Sequence, residues 1–222
     1  MKSIYKLWLL LLFTVFAATS VQAADKTIGI LVYDGVLTSD VTAPLEVFGV
    51  ASRKTWFSDY KVKTVALEPV ETITTEEGLT LKVDTWVGAD ETYDAFITTS
   101  AYDMKSVIKH AKLKKLIQET RTQGGFLASN CSGAFLLAES GVLDGKKATT
   151  WAGGEKEFKS EYPAVDVVFD ANVVIDDRIV TSNGSVVSYQ AALTLLKLMA
   201  SQAKADEVAE VIQYSRMSSH SF

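Results

Sequence analysis

The chain has little cysteine, histidine or proline: one Cys, two His and 3 Pro in 222 residues. A single Cys excludes an internal disulfide and any zinc site built from several cysteines. Two His leave little for a histidine-rich metal centre. Three Pro beside 13 Gly, with 48% hydrophobic and 22% charged residues, exclude a collagen-like repeat, a low-complexity scaffold and a disordered chain. A basic excess is missing too. The formal charge is −5 and the sequence pI about 5.1, which argues against a nucleic-acid role. No linker, charge block or internal repeat interrupts the chain. What is left is a globular composition, long enough for one ordinary domain to bury its own core.

The first 23 residues differ from the rest. Lys2 and Lys6 precede an apolar stretch from Leu7 to Ala18, and Val21-Gln22-Ala23 supplies a cleavage-site pattern. The pattern predicts a secretory signal peptide over 1–23 and a single domain over 24–222. The apolar stretch is shorter than the ~20 residues of a spanning helix, so cleavage is favoured over a membrane anchor. The expected location is outside the cytoplasm, the periplasm if the host is Gram-negative. A lone thiol there cannot be half of an internal bridge.

Short apolar runs alternate with helix-periodic stretches. Strands are expected at 27–33, 60–67, 94–99, 126–130, 147–150, 165–169, 172–175 and 178–182, with a hairpin over 73–83. Helices are expected at 41–52, with Ser39 or Asp40 at the N-cap, and at 104–121, 134–140, 154–162, 186–200 and 205–214. Alternation of this kind predicts an α/β domain with a mostly parallel sheet.

The sharpest motif is Leu127-Ala128-Ser129-Asn130-Cys131-Ser132-Gly133-Ala134. An apolar strand runs into a reactive residue, a small one, a glycine and then a helix, which is the layout of a nucleophile elbow. The helix N-terminus is expected to lower the Cys131 thiol pKa and supply a thiolate. The plain alternative is a buried, inert cysteine. Ser129 and Ser132 lack the paired glycines of a serine elbow and rank below Cys131 as nucleophiles.

The stretch NCSGAFLLAESGVLDGKKATT resembles the signature of the ThiJ/PfpI superfamily, the class I glutamine-amidotransferase-like fold. Asp34-Gly35 followed by 39–48, and 180–184 running into 189–193, resemble the branch that holds isonitrile hydratases and the sensor domains of AraC-type regulators. The resemblance covers nearly all of 26–213. It implies a flavodoxin-like three-layer sandwich with Cys131 on the elbow, and it implies Asp40 as the acid that meets the thiol. A thiolate would attack an electrophilic carbon while the carboxyl shuttles protons to the nitrogen and from water. Ser132 stands where that branch has a hydroxyl residue able to hold an intermediate. A homodimer is also implied.

Two departures from the family pattern stand out. Relatives carry His after Thr-Thr, where this chain has Trp151. Relatives carry Pro-Gly-Gly at a strand end that here reads Thr98-Thr99-Ser100, where Ser100, Ala101 and Tyr102 are the expected substrate contacts together with Trp151 and, less directly, Tyr33. His110, among lysines on a solvated helix, and His220, near the end, do not replace the missing histidine. The leading expectation is a cysteine-dependent hydratase or hydrolase of a small carbon–nitrogen electrophile, using Cys131, Asp40 and Ser132. The alternatives are a ligand-binding or sensing domain without turnover, and a redox-responsive protein that oxidises Cys131. No nucleotide, flavin or metal motif occurs, so no cofactor is expected. The expected partners are a small molecule and a second copy of the chain, not a nucleic acid.

Overall fold

A computed structural model describes residues 26–219. The expected signal peptide and His220 lie outside them. Among the described residues, no helix is long and apolar enough to cross a membrane.

The centre is a seven-stranded sheet in the order β10-β11-β7-β6-β1-β2-β5. Its strands are β1 (Lys26–Val32), β2 (Tyr60–Ala66), β5 (Thr85–Trp86), β6 (Ala95–Thr98), β7 (Phe126–Asn130), β10 (Val173–Asp176) and β11 (Ile179–Ser182). All pairs are parallel except β10 with β11, which are joined by a turn at Asp177-Arg178, one residue later than the expected Asp176-Asp177. The inner strands are apolar on both faces because helices cover both. Thus Ile28, Ile30 and Leu31 of β1 and Phe96 of β6 have no exposed surface. Two small pairs complete the strands: the expected hairpin, β3 (Thr72–Thr74) with β4 (Thr80–Lys82), and the parallel β8 (Lys147–Ala148) with β9 (Asp166–Val167).

The helices are α1 (Thr38–Ala51), α2 (Lys105–Ile108), α3 (Ala111–Thr122), α4 (Gly133–Glu139), α5 (Glu155–Glu161), α6 (Val187–Met199) and α7 (Gln202–Val211). α1, α6 and α7 pack as one group, and α2, α3 and α4 as another. The result is the three-layer, mostly parallel α/β arrangement expected from the sequence.

Two local expectations are corrected. The single helix expected over 104–121 is two helices. His110 adopts an extended backbone between them, and its Nδ1 accepts from the Leu113 amide at 3.1 Å, so it caps α3. Lysine periodicity runs across the break because the helix restarts almost at once. The second correction concerns α1, which starts at Thr38, earlier than expected, so Asp40 lies inside its first turn and is no N-cap. Glu77 of the β3–β4 hairpin takes the capping role, accepting from Thr38 N at 2.9 Å and Thr38 Oγ1 at 2.6 Å. A carboxylate at a helix N-terminus meets free amides and the positive dipole end. The Asp40 side chain is thereby released to turn inward.

Gly133 sets how closely α4 meets the sheet. A Cβ there would stand 2.6 Å from the Thr98 carbonyl oxygen and 3.1 Å from that of Thr99. Both obstacles are backbone, so they cannot swing aside. Gly133→Ala is expected to lower stability by about 1–3 kcal/mol, measured by chemical denaturation at unchanged m-value.

Candidate functional site

The carboxyl ends of four adjacent strands, β1, β6, β7 and β11, meet at one edge. In such sheets the crevice there is where ligands bind. Cys131 follows β7 immediately. Its φ is 51°, a left-handed conformation that costs a non-glycine residue about 1–3 kcal/mol. Two hydrogen bonds hold it: Cys131 N donates to Ser182 O at 3.0 Å, and Cys131 O accepts from Thr150 Oγ1 at 3.0 Å. The strand, the turn and the start of α4 at Gly133 make the expected nucleophile elbow.

Asp40 arrives from the other side of the sheet edge. After β1 the chain turns at Gly35, Val36 bridges to Ala101, and Leu37 N donates to Ser100 O at 2.8 Å. These contacts pin the start of α1 against the segment after β6. The Asp40 carboxyl is fully buried. Its Oδ2 accepts from Ser100 Oγ at 2.5 Å and Ser100 N at 3.2 Å. Its Oδ1 accepts from Ser188 Oγ at 2.9 Å and Ser185 N at 3.1 Å. Asn130 Nδ2 donates to the Asp40 main-chain oxygen at 3.1 Å. Gly184 fills the space beside both groups: a Cβ there would lie 2.5 Å from Cys131 Cβ and 3.0 Å from Asp40 Oδ1.

The polar groups of Ser100 and Ser132 near the sulfur favour a thiolate. Burial acts the other way and is the larger effect, and the nearby Asp40 charge adds to it. The Cys131 thiol is therefore pushed up, not down as the helix N-terminus alone suggests. Burial also raises the Asp40 carboxyl, against the four donors that would favour its ionised form. The pair shares a scarcity of charge: two negative groups this close and this dry do not coexist.

Cys131 is half-buried and opens on a cleft of about 1050 Å³. Ala101, Tyr102, Ser132 and Trp151, all named from the sequence, are among the residues that line it. Phe135 stacks on Trp151 with ring centroids 5.3 Å apart and extends the aromatic wall. Ser132 Oγ lies 3.5 Å from Ala101 O, to which it donates, and keeps 9% of its surface exposed. Ser100 and Asp40 are not among the lining residues. Ser100, expected as a substrate contact, is instead fully buried and gives both its amide and its hydroxyl to Asp40. Tyr33 is buried as well, its hydroxyl donating to Thr99 O at 3.1 Å and Met104 Sδ at 3.3 Å.

The strand end that departs from Pro-Gly-Gly is fully committed. The Thr98 hydroxyl donates to Gly133 O and the Thr99 hydroxyl to Leu31 O. Ser100 N goes to Asp40, and Ala101 N donates to Met104 Sδ at 3.2 Å. None of these groups is left for an oxyanion. Ser185, Ser188 and Met104 had no role in the sequence reading, and Gly184 figured only as part of the 180–184 segment. The turn-rich run Ser182-Asn183-Gly184-Ser185 after a strand was the available signal, since it ends at the same edge as the elbow.

The raised thiol has a measurable sign. Alkylation of Cys131 in the folded protein is expected to reach half its limiting rate above the ordinary thiol value of about 8.5. Because the folded pKa is raised, the native state holds its proton while the unfolded state loses it. Stability is full below pH ~8.5 and falls as pH rises through the folded value. Wild type is therefore expected to lose stability relative to Cys131→Ala above pH ~8.5, measured as paired thermal melts.

The DJ-1/PfpI family model matches residues 26–198. An uncharacterized protein in the cpoL 5′ region of Streptomyces lividans is 28% identical over 128 residues, 58% of this chain and 89% of that protein. Protein dj-1beta of Drosophila melanogaster is 32% identical over 95 residues, 43% of this chain and 49% of that protein, so the match spans about half its length. Its crystal structure superposes with a TM-score of 0.74 at 21% identity, covering 85% of this chain and 98% of that one. A ThiJ/PfpI family protein from Pseudomonas syringae also gives 0.74 at 21% identity, covering 86% and 75%. Through the matched length, the elbow and the sheet order, this chain belongs to the DJ-1/PfpI family.

Proposed function

We propose that the chain is a cysteine-dependent hydratase of carbon–nitrogen electrophiles, isonitriles foremost, acting after export. The N-terminal pattern around Lys2, Lys6 and the apolar stretch 7–18 supports export. One observation carries the chemical reading: the Cys131 thiol faces an open cleft on one side and a buried carboxyl on the other.

The reaction follows from those two faces. The thiolate forms a carbon–sulfur bond with the terminal carbon of an isonitrile, and that carbon takes up a proton, giving a thioimidate. Water adds across the carbon–nitrogen double bond. The carbon–sulfur bond then breaks, releasing an N-substituted formamide and the thiol. Isonitrile plus water equals formamide, with nothing oxidised or reduced. In this reading Ser132, whose side chain lines the cleft beside Cys131, binds the nitrogen or the water, giving up its long 3.5 Å bond to Ala101 O.

An amide substrate is served less well. Acyl transfer needs N–H donors aimed at a developing oxyanion. Here the amides of Ser100 and Ala101 are already given to Asp40 and Met104. Addition to an isonitrile carbon creates no oxyanion in its first step, so those commitments do not hinder it.

A second reading, ligand binding without turnover, is favoured by the size of the cleft, which is more than a small electrophile fills. It predicts thermal stabilisation by a ligand with no product.

The deciding experiment follows an alkyl isonitrile by NMR in the presence of the protein. Wild type is expected to form the formamide, Cys131→Ala to form none, and Asp40→Asn to be slower by about 100-fold or more. No consumption by wild type, or an unchanged rate in Cys131→Ala, would overturn the hydratase reading.

A further inference from the structure

Trp151 is brought to the elbow along two routes. The residue before it, Thr150, donates through Oγ1 to the Cys131 carbonyl at 3.0 Å. Its indole stacks on Phe135, with ring centroids 5.3 Å apart, and Phe135 lies in the first turn of α4, directly after the elbow. Both rings line the cleft on which Cys131 opens. From this arrangement we infer that Trp151 is a specificity-determining residue, favouring ligands that carry an uncharged aromatic ring behind the carbon that meets the thiol. The inference rests on the reading of this cleft as the substrate site. It names the substituent, an aryl group in the case of an isonitrile, that fills the space a small electrophile leaves.

The aromatic wall is built to stay in place. Phe135 packs on Phe158 with centroids 4.8 Å apart and meets Tyr162 edge-on at 5.7 Å. Phe158 has no exposed surface, so the wall is backed by core. Gly154 makes room for the indole: a Cβ there would overlap its Cε2, Cδ2 and Cζ2 atoms. Gly154 N donates to Trp151 O at 2.9 Å, which closes the turn and seats the glycine against the ring. The Gly154 φ is −93°, open to any residue, so it is the indole that calls for glycine there. Aromatic rings attract one another in offset or edge-to-face contact beyond the effect of burial alone. A wall fixed in advance loses little freedom when a ligand arrives.

The rest of the lining agrees with a neutral ring. Leu37, Ala101 and Ile108 add apolar surface from two other segments. The charged lining residues are of both signs, Lys105 and Lys109 with Glu157 and Glu161. All four are exposed, so water solvates them and they commit the cleft to no ionic ligand. A volume of about 1050 Å³ is of the size that holds a ring-bearing molecule.

The test compares alkylation of Cys131, the only cysteine, by iodoacetamide, N-phenyl iodoacetamide and N-cyclohexyl iodoacetamide, read by intact mass in the full chain. Each rate is divided by the rate of the same reagent with N-acetylcysteine, which removes intrinsic reactivity. In wild type the corrected phenyl rate is expected to exceed the parent rate by about tenfold or more, and the cyclohexyl rate by about threefold or more. Trp151→Ala removes the indole and Gly154→Ala displaces it, and each is expected to bring the phenyl-to-parent ratio below about threefold. Trp151→Phe keeps a ring and is expected to keep most of the ratio. A merely structural change alters the thiol for all three reagents alike and leaves the ratio where it was. Circular dichroism and melting check the fold of each variant, and Trp151→Leu takes the place of Trp151→Ala if the latter does not fold. A wild-type ratio near one, equal phenyl and cyclohexyl rates, or a ratio retained in Trp151→Ala or Gly154→Ala would overturn the inference. The readout involves no hydration. A ratio intact without formamide production would sink the hydratase reading alone, and formamide production without the ratio would sink this inference alone.

Discussion

A carboxyl group without exposed surface is the constraint around which this sheet edge is arranged. Each Asp40 oxygen receives one main-chain N–H and one serine hydroxyl. The four donors come from two segments, one after β6 and one after β11, while Asp40 itself follows β1. The hydroxyls can donate or accept, but the N–H groups can only donate. A carboxyl satisfies all four in either protonation state. An amide does not: whichever way it is turned, its NH₂ faces a main-chain N–H. The site therefore selects a carboxyl at position 40 on hydrogen-bonding grounds alone, and the loops that meet there are held by it.

The Cys131 backbone is the second feature that depends on this arrangement. Its left-handed φ is held at the nitrogen by Ser182 and at the oxygen by Thr150. Asn183 in turn donates to Thr150 O at 2.5 Å, so the end of β11 supports both sides of the elbow. Strain of this kind persists only when its surroundings over-determine it. Cys131 lines the cleft, while Asp40 is fully buried outside the cleft lining. A resting thiol rather than a resting thiolate is the consequence, because burial, with the nearby Asp40 charge, outweighs the polar groups of Ser100 and Ser132. Such a site reacts when the proton has somewhere to go.

The departures from the family pattern have compensating structures. At the strand end expected to carry glycines, Ser100 contributes a hydroxyl and an amide to the Asp40 carboxyl. Where relatives have a histidine, Trp151 builds an aromatic wall with Phe135. The amides of Ser100 and Ala101 are held in internal bonds, and Phe135 and Trp151 give the cleft an aromatic wall. These changes are coherent with chemistry that moves protons at the sulfur and places an apolar body in the cleft.

Fold class and elbow were legible in the sequence because both are local. Apolar runs of strand length, helical periodicity and the Cys131-Ser132-Gly133 junction are properties of consecutive residues. The hairpin over 73–83 was legible for the same reason. What lay beyond the sequence was set by contacts between distant segments. Asp40 read as an N-cap because Glu77, which caps the helix in its place, is 39 residues away from Thr38. The thiol pKa read as lowered because the helix dipole is a local effect, whereas burial and the Asp40 charge are tertiary ones. Ser185 and Ser188 carried no signal of their own, since a serine becomes a carboxyl ligand only when a fold brings it 145 or more residues back to the acid. Chemistry-bearing residue types can be read from sequence, while their protonation and their partners belong to the packed structure, where solvent exclusion decides the energy of every charge.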